Sequence, residues 1–379
     1  MSSIYIHIPF CTSKCPYCDF FSQVGSQLQI DEYVKLLILN IEILGSQKSP
    51  ILPLQTIFFG GGTPSLLAPK QIETILDHLE RTYGFAGDLE ITLEGNPGTV
   101  DAESLSGFRQ AGINRLSLGI QSLNEQNLQF LGRIHSVTQA HESVAAARSA
   151  GFENLSLDLM FALPGQNISA LGEEISALLN LAPEHISLYG LSFEEGTNFY
   201  TRLQGGTITP CDENLYADQY QLLDEKLKIA GYEHYEISNF ALAESRCRHN
   251  QVYWQREDCL AIGAGAHSFI NHGWGERWHI PANLQNYGES LLQGNDPAEL
   301  LETYDQKGAM KEFVYLALRM SDGIDPEEFK LRFNLPVQQV FSAELDQIKK
   351  FLISPSTSGH DRFNIKGWLL YDHLISHFL

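Results

Sequence analysis

Positive charge is scarce in this 379-residue chain: 25 Lys and Arg stand against 46 Asp and Glu, a formal charge of −21. A general nucleic-acid binder and a protein docked on anionic lipid both need a basic face, so no nucleic-acid partner is expected. Long apolar runs are missing as well. The stretch Leu36 to Leu44 is broken by Asn40 and Glu42, far short of the roughly 18 apolar residues a spanning helix requires. The opening Met1-Ser2-Ser3-Ile4-Tyr5 has no basic segment ahead of an apolar one, so no secretion signal is visible and a cytoplasmic location is expected. Cysteine is sparse at six, yet three of the six crowd between positions 11 and 18. Scattered cysteines suit disulfides; a tight triplet in a chain without an export signal suits metal. The apolar share, 43%, is that of an ordinary globular protein.

The first 232 residues alternate β-like and helical runs. Strands are expected at Ser3–Ile8, Gln55–Phe59, Leu89–Leu93, Arg115–Ile120, Asn154–Met160 and His185–Tyr189. Helices are expected at Asp31–Leu44, Lys70–Tyr83, Ala102–Ala111, Val137–Ala150, Ile168–Leu181 and Asn214–Ala230. Ser136 is placed to cap the fourth of these and Gly151 to end it. Ala111-Gly112-Ile113, Ala150-Gly151-Phe152 and Ala230-Gly231-Tyr232 repeat one joint: glycine stops a helix and the next apolar residue re-enters the core. Six βα units in series give an α/β fold with a parallel sheet, either curled toward a barrel or doubly wound. In both, chemistry gathers at the C-terminal strand ends. From 233 to 379 the pattern changes, and a smaller α+β domain is expected. It would hold a helix at Leu301–Met320, two apolar-periodic runs after Phe329, a strand near Gly367–Tyr371 and an exposed loop at Ser354–Gly359.

Cys11-Thr-Ser-Lys-Cys15-Pro-Tyr-Cys18 follows the first strand with spacing C-x3-C-x2-C. A structural zinc site usually has four protein ligands, and no fourth Cys or His follows nearby. A [4Fe–4S] cluster on three cysteines leaves one iron open for a small molecule. The alternatives are a zinc site completed from far away, in a scaffold without redox chemistry, or thiols adjacent by chance. Phe59-Gly60-Gly61-Gly62-Thr63-Pro64 follows the second strand and permits close approach of a ligand to backbone. It is neither a P-loop nor a dinucleotide fingerprint. Glu94, Gln121 and Asp158 sit in or at the end of the third, fourth and fifth strands, and Arg133 follows the fourth. Carboxylates suit ribose hydroxyls and a guanidinium suits a carboxylate; a strand-end salt bridge or cap is the ordinary alternative for each.

The triplet after the first strand of a βα series resembles the radical S-adenosylmethionine enzymes. That resemblance implies a partial six-stranded TIM-like barrel in which the open iron is chelated by the methionine moiety of S-adenosylmethionine. Reductive cleavage of the sulfonium there yields a 5′-deoxyadenosyl radical. Gly61, Gly62 and Thr63 match the loop that holds the methionine ammonium. Glu94, Gln121, Arg133 and Asp158, with Tyr5 and Tyr17, match positions around the cofactor in the oxygen-independent coproporphyrinogen III oxidase branch. Two features divide that branch. The oxidases carry a further cysteine two residues after the third, where this chain has Phe20. The run His249-Asn250-Gln251-Val252-Tyr253-Trp254 matches the H-N-x-x-Y-W of the haem chaperone group. The resemblance therefore implies a carrier that binds haem and passes it to an acceptor haemoprotein such as a membrane respiratory enzyme, with an electron donor for the cluster. The alternative is oxidative decarboxylation of coproporphyrinogen III. His249 offers an imidazole for haem iron and Tyr253 and Trp254 flat apolar surface; the ordinary reading is a core histidine beside packing aromatics. Cys247 is a second candidate ligand. Gly263-Ala264-Gly265-Ala266-His267-Ser268 reads as a close-approach loop near the adenosyl site.

Overall fold

Six parallel strands form the centre of the computed structural model, which describes residues 2–47, 53–353 and 359–379. They are β1 (Ser3–Ile8), β2 (Leu54–Gly61), β3 (Phe85–Gly95), β4 (Arg115–Gln121), β5 (Asn154–Phe161) and β6 (His185–Gly190). They pair in chain order, Ile4 opposite Ile57, Ile57 opposite Ile91, Leu93 opposite Leu116, Leu116 opposite Leu155 and Leu157 opposite Ile186. Both faces are covered, so β4 is buried along nearly its whole length, Arg115 and Ser117 included. The outer layer is α1 (Gln27–Gln47), α2 (Pro69–Tyr83), α3 (Ala102–Ala111), α4 (Val137–Ser149), α5 (Ile168–Leu179) and α6 (Glu213–Ile229). In α2, Ile72, Ile75, Leu76 and Leu79 form the buried stripe at helical spacing.

The repeated joint behaves as its sequence predicts. Gly112, Gly151 and Gly231 all take left-handed φ, 112°, 87° and 91°. The amides of Ile113, Phe152 and Tyr232 reach back to Phe108, Ala147 and Leu227 carbonyls, and the three apolar side chains are buried. Ser136 caps α4 by accepting from the Gln139 amide at 3.2 Å.

The expected border at 232/233 does not separate two sheets. β7 (Glu233–Glu236) and β8 (Asn239–Ala241) extend the sheet antiparallel beyond β6. Then α7 (Arg248–Trp254) crosses over. β9 (Cys259–Ile262) lies parallel to β1 on its other side, and β10 (His267–Ile270), β11 (Glu276–His279) and β12 (Glu299–Thr303) complete that edge. The order is β12-β11-β10-β9-β1-β2-β3-β4-β5-β6-β8-β7, an open partial barrel of twelve strands. The C-terminal part is mainly helical: Gln306–Leu318, Pro326–Phe333 and Val337–Ile348 precede a two-stranded ribbon. The strand expected near Gly367–Tyr371 is instead helical, at Ile365–Leu369, because Asn364 caps that segment by accepting from the Lys366 and Gly367 amides at 3.0 Å each. The loop expected at Ser354–Gly359 lies, save Gly359, outside the described residues.

Candidate functional site

The cysteine loop leaves β1 and is held by the glycine loop that leaves β2. Gly62 and Thr63 amides donate to the Ile8 and Phe10 carbonyls, both at 2.8 Å. Gly62 is required by this approach: a Cβ there would lie 2.6 Å from the Phe10 carbonyl oxygen and 3.0 Å from Cys11 Sγ. Thr63 Oγ1 donates to Cys11 Sγ at 3.6 Å and accepts from Asn96 Nδ2 at 2.9 Å. Arg133 Nη1 donates to Cys15 Sγ at 3.4 Å, while Nη2 donates to the Gly119 carbonyl at 2.7 Å and to Asn96 Oδ1. Burial pushes the Cys18 thiol up, as do its neighbours Cys15 and Cys11.

These groups line one cavity of about 380 Å3 at the C-terminal ends of the strands. Cys11, Cys15 and Cys18 form one wall, with Tyr17 beside them. Gly61, Gly62 and Thr63 bound it from β2, Glu94 from β3, Gln121 and Arg133 from β4 and the segment after it, and Asp158 from β5. Gln121 holds a left-handed φ of 61°, an uncommon conformation for a side-chain-bearing residue that persists only where surroundings enforce it. Glu94 is pushed up to about 8 by burial foremost and then by the nearby Asp158; Asp158 is itself raised by burial, although Ser117 donates to both its oxygens at 3.1 Å.

Two expected residues stand apart from this cavity. Tyr5 lies below it, in a smaller chamber of about 150 Å3 that shares Glu94, Ser117, Asp158 and Tyr189 with the first. His249 lines the same chamber, but its placement does not suit haem ligation. The residue is fully buried, and its Nδ1 and Nε2 lie 2.8 Å from Thr56 Oγ1 and Tyr253 Oη. Neither nitrogen is free for iron, and burial pushes the imidazole down to about 3. Cys247 is likewise fully buried, and burial pushes its thiol up to about 12, away from the reactive thiolate form. Gly263 and Gly265 do permit close approach, to the His7 carbonyl and the Phe21 ring, on the flank of β1. Asn96 and Tyr189 belong to the site and were not singled out from sequence; both lie at or just beyond strand ends, and Asn96 is two residues past Glu94.

The residues suit an iron–sulfur cluster with a small ligand on its open iron. Among the described residues no three such side chains form a ready single-ion cage; the thiols instead sit around one cavity, as a cube with one cysteine per iron corner requires. Four carboxyl groups, Asp19, Glu94, Asp158 and Glu194, line the cavity with Lys14 and Arg133; protonated in the ligand-free fold, Glu94 can both donate to and accept from a ligand. Arg133 Nε has no hydrogen-bond partner among the described residues, a buried donor left for a ligand.

The comparisons agree with this arrangement. Residues 5–178 match the Radical SAM superfamily and residues 304–352 the HemN C-terminal domain. The chain is 35% identical over 361 residues to "Heme chaperone HemW" of Bacillus subtilis (strain 168), spanning 94% of each protein. It is 32% identical to the protein of the same name from Lactococcus lactis subsp. lactis (strain IL1403), across 100% of this chain and 97% of that one. Coproporphyrinogen III oxidase (HemN) from Escherichia coli, a radical SAM enzyme, superimposes with a TM-score of 0.85 at 22% identity, across 100% of this chain and 89% of that one. That likeness establishes the shared fold; sequence identity over nearly full length places the chain in the heme chaperone HemW family of the radical S-adenosylmethionine superfamily.

Proposed function

We propose that the chain binds haem and hands it to an acceptor haemoprotein, and that it does not decarboxylate coproporphyrinogen III. The observation that carries this reading is Phe20. It stands where the oxidases have their additional cysteine, and it is 62% exposed at the rim of the cysteine cavity. Family membership supports the same reading. Cys11, Cys15 and Cys18 hold the [4Fe–4S] cluster, which supplies low-potential electrons when bound. Gly61, Gly62 and Thr63 shape the wall that receives the methionine end of S-adenosylmethionine. Glu94 and Asp158 accept from hydroxyls, Arg133 and Gln121 orient polar groups, and Tyr17 covers the cluster flank. Tyr5 acts from beneath, through the chamber it shares with Glu94. The acceptor fits a membrane respiratory enzyme met from the cytoplasmic side, with a separate electron donor for the cluster; no helix among the described residues is long and apolar enough to cross a membrane.

Anaerobic reconstitution followed by two separate assays tests this. The protein is expected to take up about four irons per chain, as a cubane requires. It is expected to bind haem with a dissociation constant near micromolar, about −8 kcal/mol, which leaves room for release to a tighter acceptor. Protoporphyrinogen IX formation by the reduced, cofactor-loaded protein without haem binding would overturn the reading in favour of the oxidase.

A further inference from the structure

A second cavity, of about 470 Å3, opens beside β1 on the side of β9 and β10, within the range of small-molecule sites. Its walls include Phe20, Phe21, Tyr253, His267 and His279. Asp19 and Phe20 line this cavity and the cysteine cavity alike, so the two share a rim. His267 and His279 face each other on β10 and β11, paired in register, with ring centroids 5.8 Å apart and planes 29° from parallel.

The histidines here are not equivalent. His7 is engaged on both sides, by the Tyr5 hydroxyl at 3.1 Å and the Phe21 carbonyl at 2.9 Å. His279 Nε2 lies 3.5 Å from the Glu299 carboxylate. The His267 imidazole makes no hydrogen bond to the described residues and is exposed to the cavity. Partial burial, with His279 and Arg277 nearby, lowers its pKa, which keeps a nitrogen lone pair available at neutral pH. The large Phe20 ring left in solvent gives a flat apolar face for a flat apolar partner.

We propose that this cleft is where haem sits, with His267 as the protein ligand to iron and Phe20 against the porphyrin. The inference rests on the haem-carrier reading and assigns that cargo a place. It removes the need for fully buried His249 to reach iron and puts haem beside the rim of the cluster cavity. A half-exposed ligand and an open cleft also suit a cargo that must leave.

The test is a titration of the full-length, cluster-loaded chain with ferric haem, comparing wild type with His267→Gly and Phe20→Ala. His267→Gly is expected to shift the Soret band and weaken binding about tenfold or more, with iron content and circular dichroism unchanged. Added imidazole is expected to restore the wild-type spectrum, which a merely structural histidine would not allow. Phe20→Ala is expected to weaken binding while keeping the ligation spectrum. Iron-free protoporphyrin IX is expected to be insensitive to His267→Gly. If wild type binds haem and His267→Gly matches it in spectrum and affinity, or if its loss is not rescued by imidazole, this placement is overturned and the carrier reading stands. If wild type binds no haem, the carrier reading itself falls.

Discussion

Glu94 shows how a single residue prepares a site at a cost to stability. Burial and Asp158 raise its carboxyl to about 8 from an ordinary 4.5. Between those values the folded, ligand-free chain keeps a proton that the unfolded chain has released. The folded state binds more protons there, so stability falls as pH rises through the window, by up to about 1.4 kcal/mol per pH unit from this group. Glu94→Gln keeps the shape and removes the titration. Chemical denaturation of the cluster-free protein between about pH 5 and pH 8 is expected to give a steeper decline for wild type than for Glu94→Gln. Equal slopes in the two proteins would show that the carboxyl is already ionised in the fold. The cysteine triplet was readable from the chain because all three thiols come from one loop. His249 was not: its partner Thr56 lies 193 positions away, and only the fold brings them together.

At the scale of elements, α7 begins at Cys247 without a side-chain cap of its own. The cap comes from another strand. Glu90 of β3 accepts from the amides of Arg248 at 3.1 Å and His249 at 3.0 Å, satisfying donors that every helix start leaves open and placing negative charge where the helix dipole favours it. Glu90→Ala is expected to cost about 1–3 kcal/mol, the usual penalty for stranding buried donors, visible as a lower thermal midpoint. An unchanged midpoint would mean water replaces the carboxylate without loss. The βα series was legible because its strands carry apolar residues at alternate positions, such as Leu116, Leu118 and Ile120, and because the Ala-Gly joint repeats three times. Helix Ile365–Leu369 was misread because Trp368-Leu369-Leu370-Tyr371 is equally apolar in either conformation; Asn364 carried the deciding signal as its cap.

Across the whole molecule, the sheet runs through the border that composition suggests. β9 pairs with β1 from Ser3 opposite Cys259 to Ile6 opposite Ile262, so the strand that delivers Cys11 is flanked by residues from the last third of the chain. Arg248 adds bonds to the Gln55 and Asp88 carbonyls at 2.7 Å each. The buried Asn40 of α1 accepts from the Gly263 amide at 3.3 Å and the Tyr287 hydroxyl at 3.1 Å. A chain cut after residue 232 retains every cysteine of the triplet and every residue assigned to S-adenosylmethionine. It nevertheless exposes one whole edge of β1 and strips the apolar cover from its helices, and unpaired strand edges of that kind recruit other chains. The fragment 1–232 is therefore expected to aggregate and to take up little iron under conditions that load the full chain. A soluble, monomeric fragment holding about four irons, the complement of one cubane, would show that the barrel half folds by itself and that the later strands only decorate its edge.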